Sequence, residues 1–378
     1  MKLSRRSFTK GMASAAGLAA LGPMGAAHAA RDNELNILCW EGYNSDDVLG
    51  PFRDAHPDAT VRAESGTSDP DMINKLRAGE VNVWDLINVN QPWARHQLYP
   101  ENLIKPLDKD RFMPYFENML SEFQGPYPLS FAENGDLIGM VQRFGPFSFV
   151  VNTDKVSVDM AEDQGWKLFL DSAMKNRYGI LTYDNWNIMH MCLTGDQDPF
   201  KEMDDAGLDK FTETANAVFD GAKLLTDDLV AMNTALINEE IDAYFTGGTY
   251  TASPARLDGA TNIRGITPNS GPLEGNKGGL VWVELTSAVN NPDPSKLAED
   301  FLEYVQGAEV SKAVSFSEGT YNPVAQMGNP AVFNTYDSDE LDAIQWDSLP
   351  EEMARSAEYS IVASYDKLNE LYNAAKRG

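Results

Sequence analysis

"LNILCWEGY", Leu35 to Tyr43, is the stretch on which the fold turns. It starts as an apolar run of strand length and ends in an indole, a carboxylate, a glycine and a phenol within four residues. The segment that follows, "SDDVLGPFRDAHP", reads as a helix with Ser45 as N-cap and Asp46 and Asp47 in the first turn, where the helix dipole favours acids. "ATVRAES" is then a second strand. "SDPDMINKLRAGE" repeats the helix-start signal, with Pro70 near the first turn and Gly79 past the last periodic residue. "VWDLINVN" is a third strand. Short apolar strands alternating with helices predict an α/β protein with parallel pairing.

Farther along, "GDLIGMVQRFGPFSFVVNTDKV" is strand-rich, and "FSFVVNTD", Phe147 to Asp154, reads as a crossing into a second lobe. That unit holds a strand at Gly179 to Thr182, helices at Leu208 to Leu225 and Thr226 to Glu239, and a strand in "EIDAYFTGG". A Gly-, Pro- and Asn-rich segment, Thr267 to Gly279, precedes "GLVWVELTSAV", the return crossing. Two crossings make the first lobe discontinuous and leave a cleft between lobes, a preferred place for ligands. "EYSIVASYDKLNELYNAAK" reads as an amphipathic helix with Ile361, Leu368, Leu371 and Tyr372 on its apolar side. The expected divisions are 30–152 with 281–325 for lobe 1, 153–280 for lobe 2, and 326–378 as a helical segment packing on the lobes.

Residues 1–29 read as a twin-arginine export signal. Arg5 and Arg6 precede the small-residue apolar run Gly11 to Ala27, and Ala27-His28-Ala29 fits a signal peptidase site. The run is too short and too rich in Gly and Ala to span a bilayer, which needs roughly 20 strongly apolar residues. The chain has 378 residues, 30 Lys+Arg and 57 Asp+Glu. Four of the bases and none of the acids lie in the leader, leaving 26 bases against 57 acids, a formal charge of −31. The balance argues against nucleic acid and anionic lipid as partners, because phosphate affinity comes from clustered Lys and Arg. Acidity suits a cationic ligand, or a solvated surface in salty surroundings. Cys39 and Cys192 make no disulfide framework and read as small buried hydrophobes, with a single bridge left open. Only His56, His96 and His190 follow the leader.

The mature chain resembles the periplasmic solute-binding proteins of ABC importers, in particular the spermidine/putrescine-binding family. The pieces that carry the likeness are "ILCWEGY", "VWDLINVN", "IGMVQRFGPFSFVVNTDKV", "YGILTYDN", "GGLVWVELTSAV" and "EGTYNP", in order across roughly 320 residues. The resemblance implies a type II periplasmic-binding-protein fold, two α/β lobes joined by a two-crossing hinge. It implies a ligand held in the interlobe cleft, with rings along its methylene chain and carboxylates on its ammonium ends. By position, Trp40 and Tyr43 match the aromatics after the first strand, with Glu41 between them to tune the field. Trp93 falls in the third-strand loop and Asp184 matches the second-lobe acid. Trp282 and Glu284 match an aromatic-x-acid pair, and Tyr321 lies in the late binding loop. Asn187, Thr246 and Arg143 are departures: Asn187 stands for a second acid, Thr246 for a tryptophan, and Arg143 is unusual beside a cationic ligand.

Each residue also has a plainer reading: Trp40 and Trp282 as packing, Asp184 as a helix N-cap, Glu284 on an exposed edge, Arg143 paired with an acid on the other lobe. The function expected is capture of a polyamine in the periplasm and delivery to an inner-membrane ABC permease. Closure would bring Asp184 and Glu284 together on the ligand. The alternative is a zwitterionic amino compound with Arg143 on its carboxylate. A carboxylate-based hydrolase and a periplasmic sensor subunit are the rival classes. No metal or organic cofactor is expected, no membrane insertion after the leader is removed, and a monomer.

Overall fold

In a computed structural model, which describes residue 31 and residues 33–317 and 319–378, the first strand is β1 (Glu34–Cys39), buried throughout after Glu34. The expected export segment, 1–29, lies outside the described residues. Ser45 caps the helix Asp46–Ala55 by accepting from the Val48 amide, and Ser68 caps the helix Asp69–Arg77 by accepting from the Asp71 amide. Between them runs β2 (Thr60–Ser65), and β3 (Leu86–Asn90) follows. Both flank β1 in parallel. The capping chemistry written in the sequence fixes where these helices begin, and the strands between them have only one apolar layer to join.

Two long strands connect the halves of the molecule. These are β4 (Met140–Asn152) and β9 (Gly279–Ala288), antiparallel and buried along their whole length. Each belongs to both halves. The start of β4 pairs with the end of β9, which also pairs with β3. The end of β4 pairs with β7 (Ala243–Gly247) and β8 (Ile263–Ile266). Two more strands, β5 (Tyr178–Leu181) and β6 (Leu224–Thr226), extend the second half in the order β4-β7-β5-β6. A short β10 (Ser356–Glu358) adds to β9.

Side chains divide at the same place. Phe144 belongs to the core of the first half, with Ile37, Leu86 and Leu285, whereas Phe147 and Phe149 belong to the core of the second, with Tyr178, Phe211 and Phe245. Beneath the second sheet a third cluster holds Val150, Leu181, Met232 and Tyr244. Each such fully buried aromatic or aliphatic side chain contributes about 1.5–3 kcal/mol. The C-terminal segment serves both halves: Met327, Ile344 and Leu349 enter the first core, and Tyr359, Leu368 and Tyr372 the second.

Several expectations need correction. The predicted helix Leu208 to Leu225 is Asp205–Gly221, and β6 replaces its end; the next helix is Leu229–Ile237. Lys223 and Leu224 leave helical geometry because β6 completes the sheet edge beside β5, a tertiary demand that overrides local propensity. The last helix starts only at Tyr365, so Ile361 lies outside it, and Glu358 belongs to β10. Strand β8 lies between "EIDAYFTGG" and the Gly-, Pro- and Asn-rich segment, in a stretch for which the sequence pattern predicts no element. Cys39 and Cys192 are buried in different cores and form no disulfide. Among the described residues no helix is long and apolar enough to cross a membrane.

Candidate binding site

The loop after β1 owes its shape to Gly42, whose φ of 94° is left-handed backbone that glycine adopts without strain. A Cβ there would stand 3.1 Å from Arg143 Nη1. The turn sends Tyr43 inward, where its hydroxyl donates to Glu284 Oε2 at 2.8 Å. Strand β4 carries a bulge between Val141 and Phe144, so Gln142 and Arg143 together oppose Glu284 of β9. A bulge re-aims a side chain, and here it puts Arg143 on the face of Glu284. Arg143 Nε and Nη2 donate to the two carboxylate oxygens at 3.0 Å each. The guanidinium carbon lies 4.6 Å from the Tyr43 ring centre.

Both charges are deeply buried, with side chains 4% and 6% exposed. Desolvation costs several kcal/mol per ion, and only bidentate geometry with further hydrogen bonds offsets it. Burial alone would pull the Arg143 pKa down, but Glu284, Tyr43 and Glu41 outweigh it and hold the guanidinium charged. Burial and then the Glu284 charge raise the Tyr43 phenol well above its ordinary value, so it stays a neutral donor. Glu284, expected to meet a ligand's ammonium, therefore already holds an internal cation. Arg143 pairs within the first sheet, not across to the second lobe.

A second acid was not anticipated. Asp69 opens the helix Asp69–Arg77 and is 2% exposed. Its Oδ1 accepts from Trp40 Nε1 at 3.2 Å and from the Asn90 amide at 3.1 Å; its Oδ2 accepts from Asn90 Nδ2 at 2.9 Å. Burial lifts this carboxyl from its ordinary range to about 7, Asn90 opposes the shift, and the Glu284 charge adds to it.

Around these acids the two halves meet through rings. Trp93, in the helical turn Gln91–Trp93 that follows β3, donates its indole N–H to the Tyr359 hydroxyl at 2.6 Å. Gln91 Nε2 donates to the Tyr359 carbonyl at 2.8 Å. Phe147 stands at the centre, its ring centre 4.2 Å from Trp186, 6.1 Å from Trp282 and Tyr359, and 6.3 Å from Tyr250. Trp282 turns into the second core while its neighbours Val281 and Val283 turn into the first, as strand alternation requires. Its indole lies over Gly145, where a Cβ would come within 3.3 Å. Each aromatic pair adds about 0.5–1.5 kcal/mol beyond area burial.

The remaining expected residues are spread more widely. Glu41 is exposed, and its charge reaches Arg143, Tyr183 and Tyr250, which places it between the halves. Asp184 is the first residue of the helix Asp184–Thr194 and faces the C-terminal helix: its Oδ1 accepts from Lys376 Nζ and Tyr372 Oη, both at 2.8 Å. It is not an N-cap, and the expected meeting with Glu284 gives way to a separate cation for each acid. Asn187, buried, donates to Tyr372 Oη and the Leu181 carbonyl. Thr246, at φ 61°, bonds His190 Nδ1 at 2.8 Å. Burial lowers that histidine to about 3, so it is a neutral core residue stacked on Trp166. Tyr321 stacks on Phe316, and its backbone N–H donates to Ser253 Oγ of the opposite half. Unanticipated are Asp69, Phe147, Trp186, Tyr250 and Tyr359.

The fold is shared with solved substrate-binding proteins of ABC transporters. No protein-family profile matches the sequence, and no curated protein does. Solved structures match over nearly the full chain. The spermidine/putrescine ABC transporter substrate-binding protein PotD from Streptococcus pneumoniae is 16% identical, with a TM-score of 0.64 over 91% of this chain and 99% of that one. The Tp0655 (TpPotD) lipoprotein of Treponema pallidum is 12% identical, with a TM-score of 0.65 over 91% and 100%. The binding protein MotA from A. tumefaciens B6, in complex with glucopine, is 15% identical, with a TM-score of 0.60 over 91% and 99%.

Proposed function

We propose that this chain is the periplasmic solute-binding subunit of an ABC importer, a receptor and not an enzyme. It closes its lobes on a small amine, a polyamine in the first instance, and delivers it to a membrane permease. The lobes are 30–152 with 281–325 and 153–280, with 326–378 strapped across both, and export follows the twin-arginine route. The observation that carries this reading is the seam of rings drawn from both halves. Trp93 and Tyr359, and Phe147 with Trp186, Tyr250 and Trp282, meet where strands β4 and β9 cross, and Glu41 stands beside them. Such rings attract an ammonium by about 0.5–2 kcal/mol each and tolerate varied chain lengths. The spermidine/putrescine substrate-binding protein PotD and the TpPotD lipoprotein named above share the fold.

A second reading has one observation in its favour. MotA, a structure of the same fold, holds glucopine. A zwitterionic amino compound would need Arg143 for its carboxylate, and that guanidinium is engaged by Glu284. Polyamine therefore stands first. A thermal-shift screen of polyamines, amino acids and amino alcohols tests the proposal, because a ligand bound only by the folded state raises the melting temperature. A polyamine should raise it and be recovered unchanged. A rise given only by non-amines, or consumption of the ligand, overturns the proposal.

A further inference from the structure

Among the described residues five carboxylates are deeply buried: Asp69, Asp85, Asp242, Glu284 and Glu352. Four of them have an arginine at hand. Asp85 pairs with Arg31, Asp242 with Arg177 and Glu284 with Arg143, while Glu352 lies in the field of Arg264 and Arg355. Asp69 differs. Its three hydrogen bonds come from neutral groups, and among the described residues no side-chain cation pairs with it. The charge that does reach it is another acid, Glu284. A buried carboxylate without a cation is costly, and proteins rarely keep one without a use.

The neighbouring amides point the same way. Asn90 spends its Nδ2 on Asp69, which leaves Oδ1 buried and unpartnered; Gln91 spends its Nε2 on Tyr359, which leaves Oε1 in the same state. Both residues are 3% exposed. Asp69 thus has the Glu284 charge and the orphaned Asn90 acceptor for neighbours, with the Trp40 indole on its Oδ1 and a second orphaned acceptor on Gln91, the next residue after Asn90. A carboxylate or phosphate would find repulsion there. A hydroxyl could satisfy an acceptor and leave the charge unanswered. An alkylammonium brings both a positive charge and N–H donors, which match this set.

We infer that Asp69, flanked by Asn90 and Gln91, is the ammonium anchor of the interlobe site. This rests on the amine-receptor proposal above and adds the residue that selects the cation. It moves that role from Asp184 and Glu284, each of which already has an internal cation. The charged and titratable groups facing Asp69 are Glu284, itself held by Arg143, and the Tyr359 phenol.

The test is calorimetric titration of the full chain with 1,4-diaminobutane, comparing wild type, Asp69→Asn and Asp184→Asn. Asp69→Asn keeps the shape and removes the charge; its far-ultraviolet circular dichroism and melting transition establish that it folds. The expected result is at least a tenfold loss of affinity in Asp69→Asn at pH 8 and none in Asp184→Asn. The pH profile separates a direct contact from a structural one. Wild-type affinity should fall about tenfold per pH unit below 7 as the free carboxyl takes up a proton, and Asp69→Asn should lack that slope. Wild-type binding that Asp69→Asn matches at pH 8 overturns this inference and leaves the receptor proposal standing. Failure of the wild type to bind any amine overturns both.

Discussion

Replacing Arg143 with methionine takes one partner from a buried ion pair and leaves Glu284, 4% exposed, with only the Tyr43 hydroxyl on its carboxylate. Breaking such a pair from one side typically costs about 3–5 kcal/mol. At about 2.1 cal/mol/K of unfolding entropy per residue, a folded body of roughly 350 residues loses ~4–7 °C of melting temperature for that cost. Arg143→Met with Glu284→Gln removes both charges and keeps an acceptor for Tyr43, so the double variant should regain most of the loss. The pH dependence has a definite sign. An unpaired buried carboxylate holds its proton more tightly folded than unfolded, so the Arg143→Met deficit should shrink below pH 5 and grow toward pH 8. Scanning calorimetry across that range is the assay. A single variant that melts within about 1 °C of wild type at pH 7, or a double variant no better than the single, refutes the account of the pair as an internally neutralised unit. Binding supplies an independent readout: Arg143→Met should spare 1,4-diaminobutane, whereas a ligand held through its carboxylate would be lost.

Three further outcomes follow from the same geometry. Burial raises Asp69 to about 7, so its contribution to stability is fully present below pH 4 and is lost as pH rises through 7. The melting temperature of ligand-free Asp69→Asn should accordingly gain on wild type between pH 5 and pH 8, and parallel curves would contradict the burial seen. Asp184→Asn loses a part-exposed pair with Lys376, side chains 40% and 29% exposed, and should cost about 0.5–1 kcal/mol by urea denaturation with amine affinity unchanged. Gly42→Ala forces a Cβ into left-handed backbone 3.1 Å from Arg143 Nη1 and should destabilise by about 1–2 kcal/mol, again by urea denaturation.

How much of this was legible in the sequence depends on how far apart the partners lie. Ser45 and Ser68 cap helices within three residues of themselves, so both helices could be read at once. The crossings could be read as well, because β4 and β9 are buried along their length and rich in apolar residues. Asp69 and Asp71 share one helical turn and look alike in sequence, yet only Asp69 is buried, because Asn90 of the next strand reaches it and not Asp71. Glu284 meets Arg143 only through a one-residue bulge in a strand 141 positions away, and no local pattern announces a bulge. Asp184 finds Lys376 across 192 positions, and Tyr359 enters the ring seam from the C-terminal segment. Residue types at strand ends announce a site; which acid is left with a charge to share is decided by register and by distant chain.

On the proposed receptor reading, that distribution of charge bears on how an occupied cleft is distinguished from an unoccupied one. Arg143 and Glu284 cancel, and they do so on the very strands that cross between the lobes, so the pair adds no net charge while it fixes the bulge and the face of β4. Asp69 remains, and with Glu41 it makes the interlobe region net negative. Packing the rings of both halves over an ionised Asp69 would bury a bare charge, which costs several kcal/mol. On that proposed reading, the free protein would avoid that cost by protonating Asp69 or by keeping the lobes apart and the carboxylate wet. An ammonium removes the cost directly. If Asp69 is the anchor, the same contact that selects an amine therefore also makes closure favourable near neutral pH, and a neutral molecule of equal size and shape fills the seam without closing it.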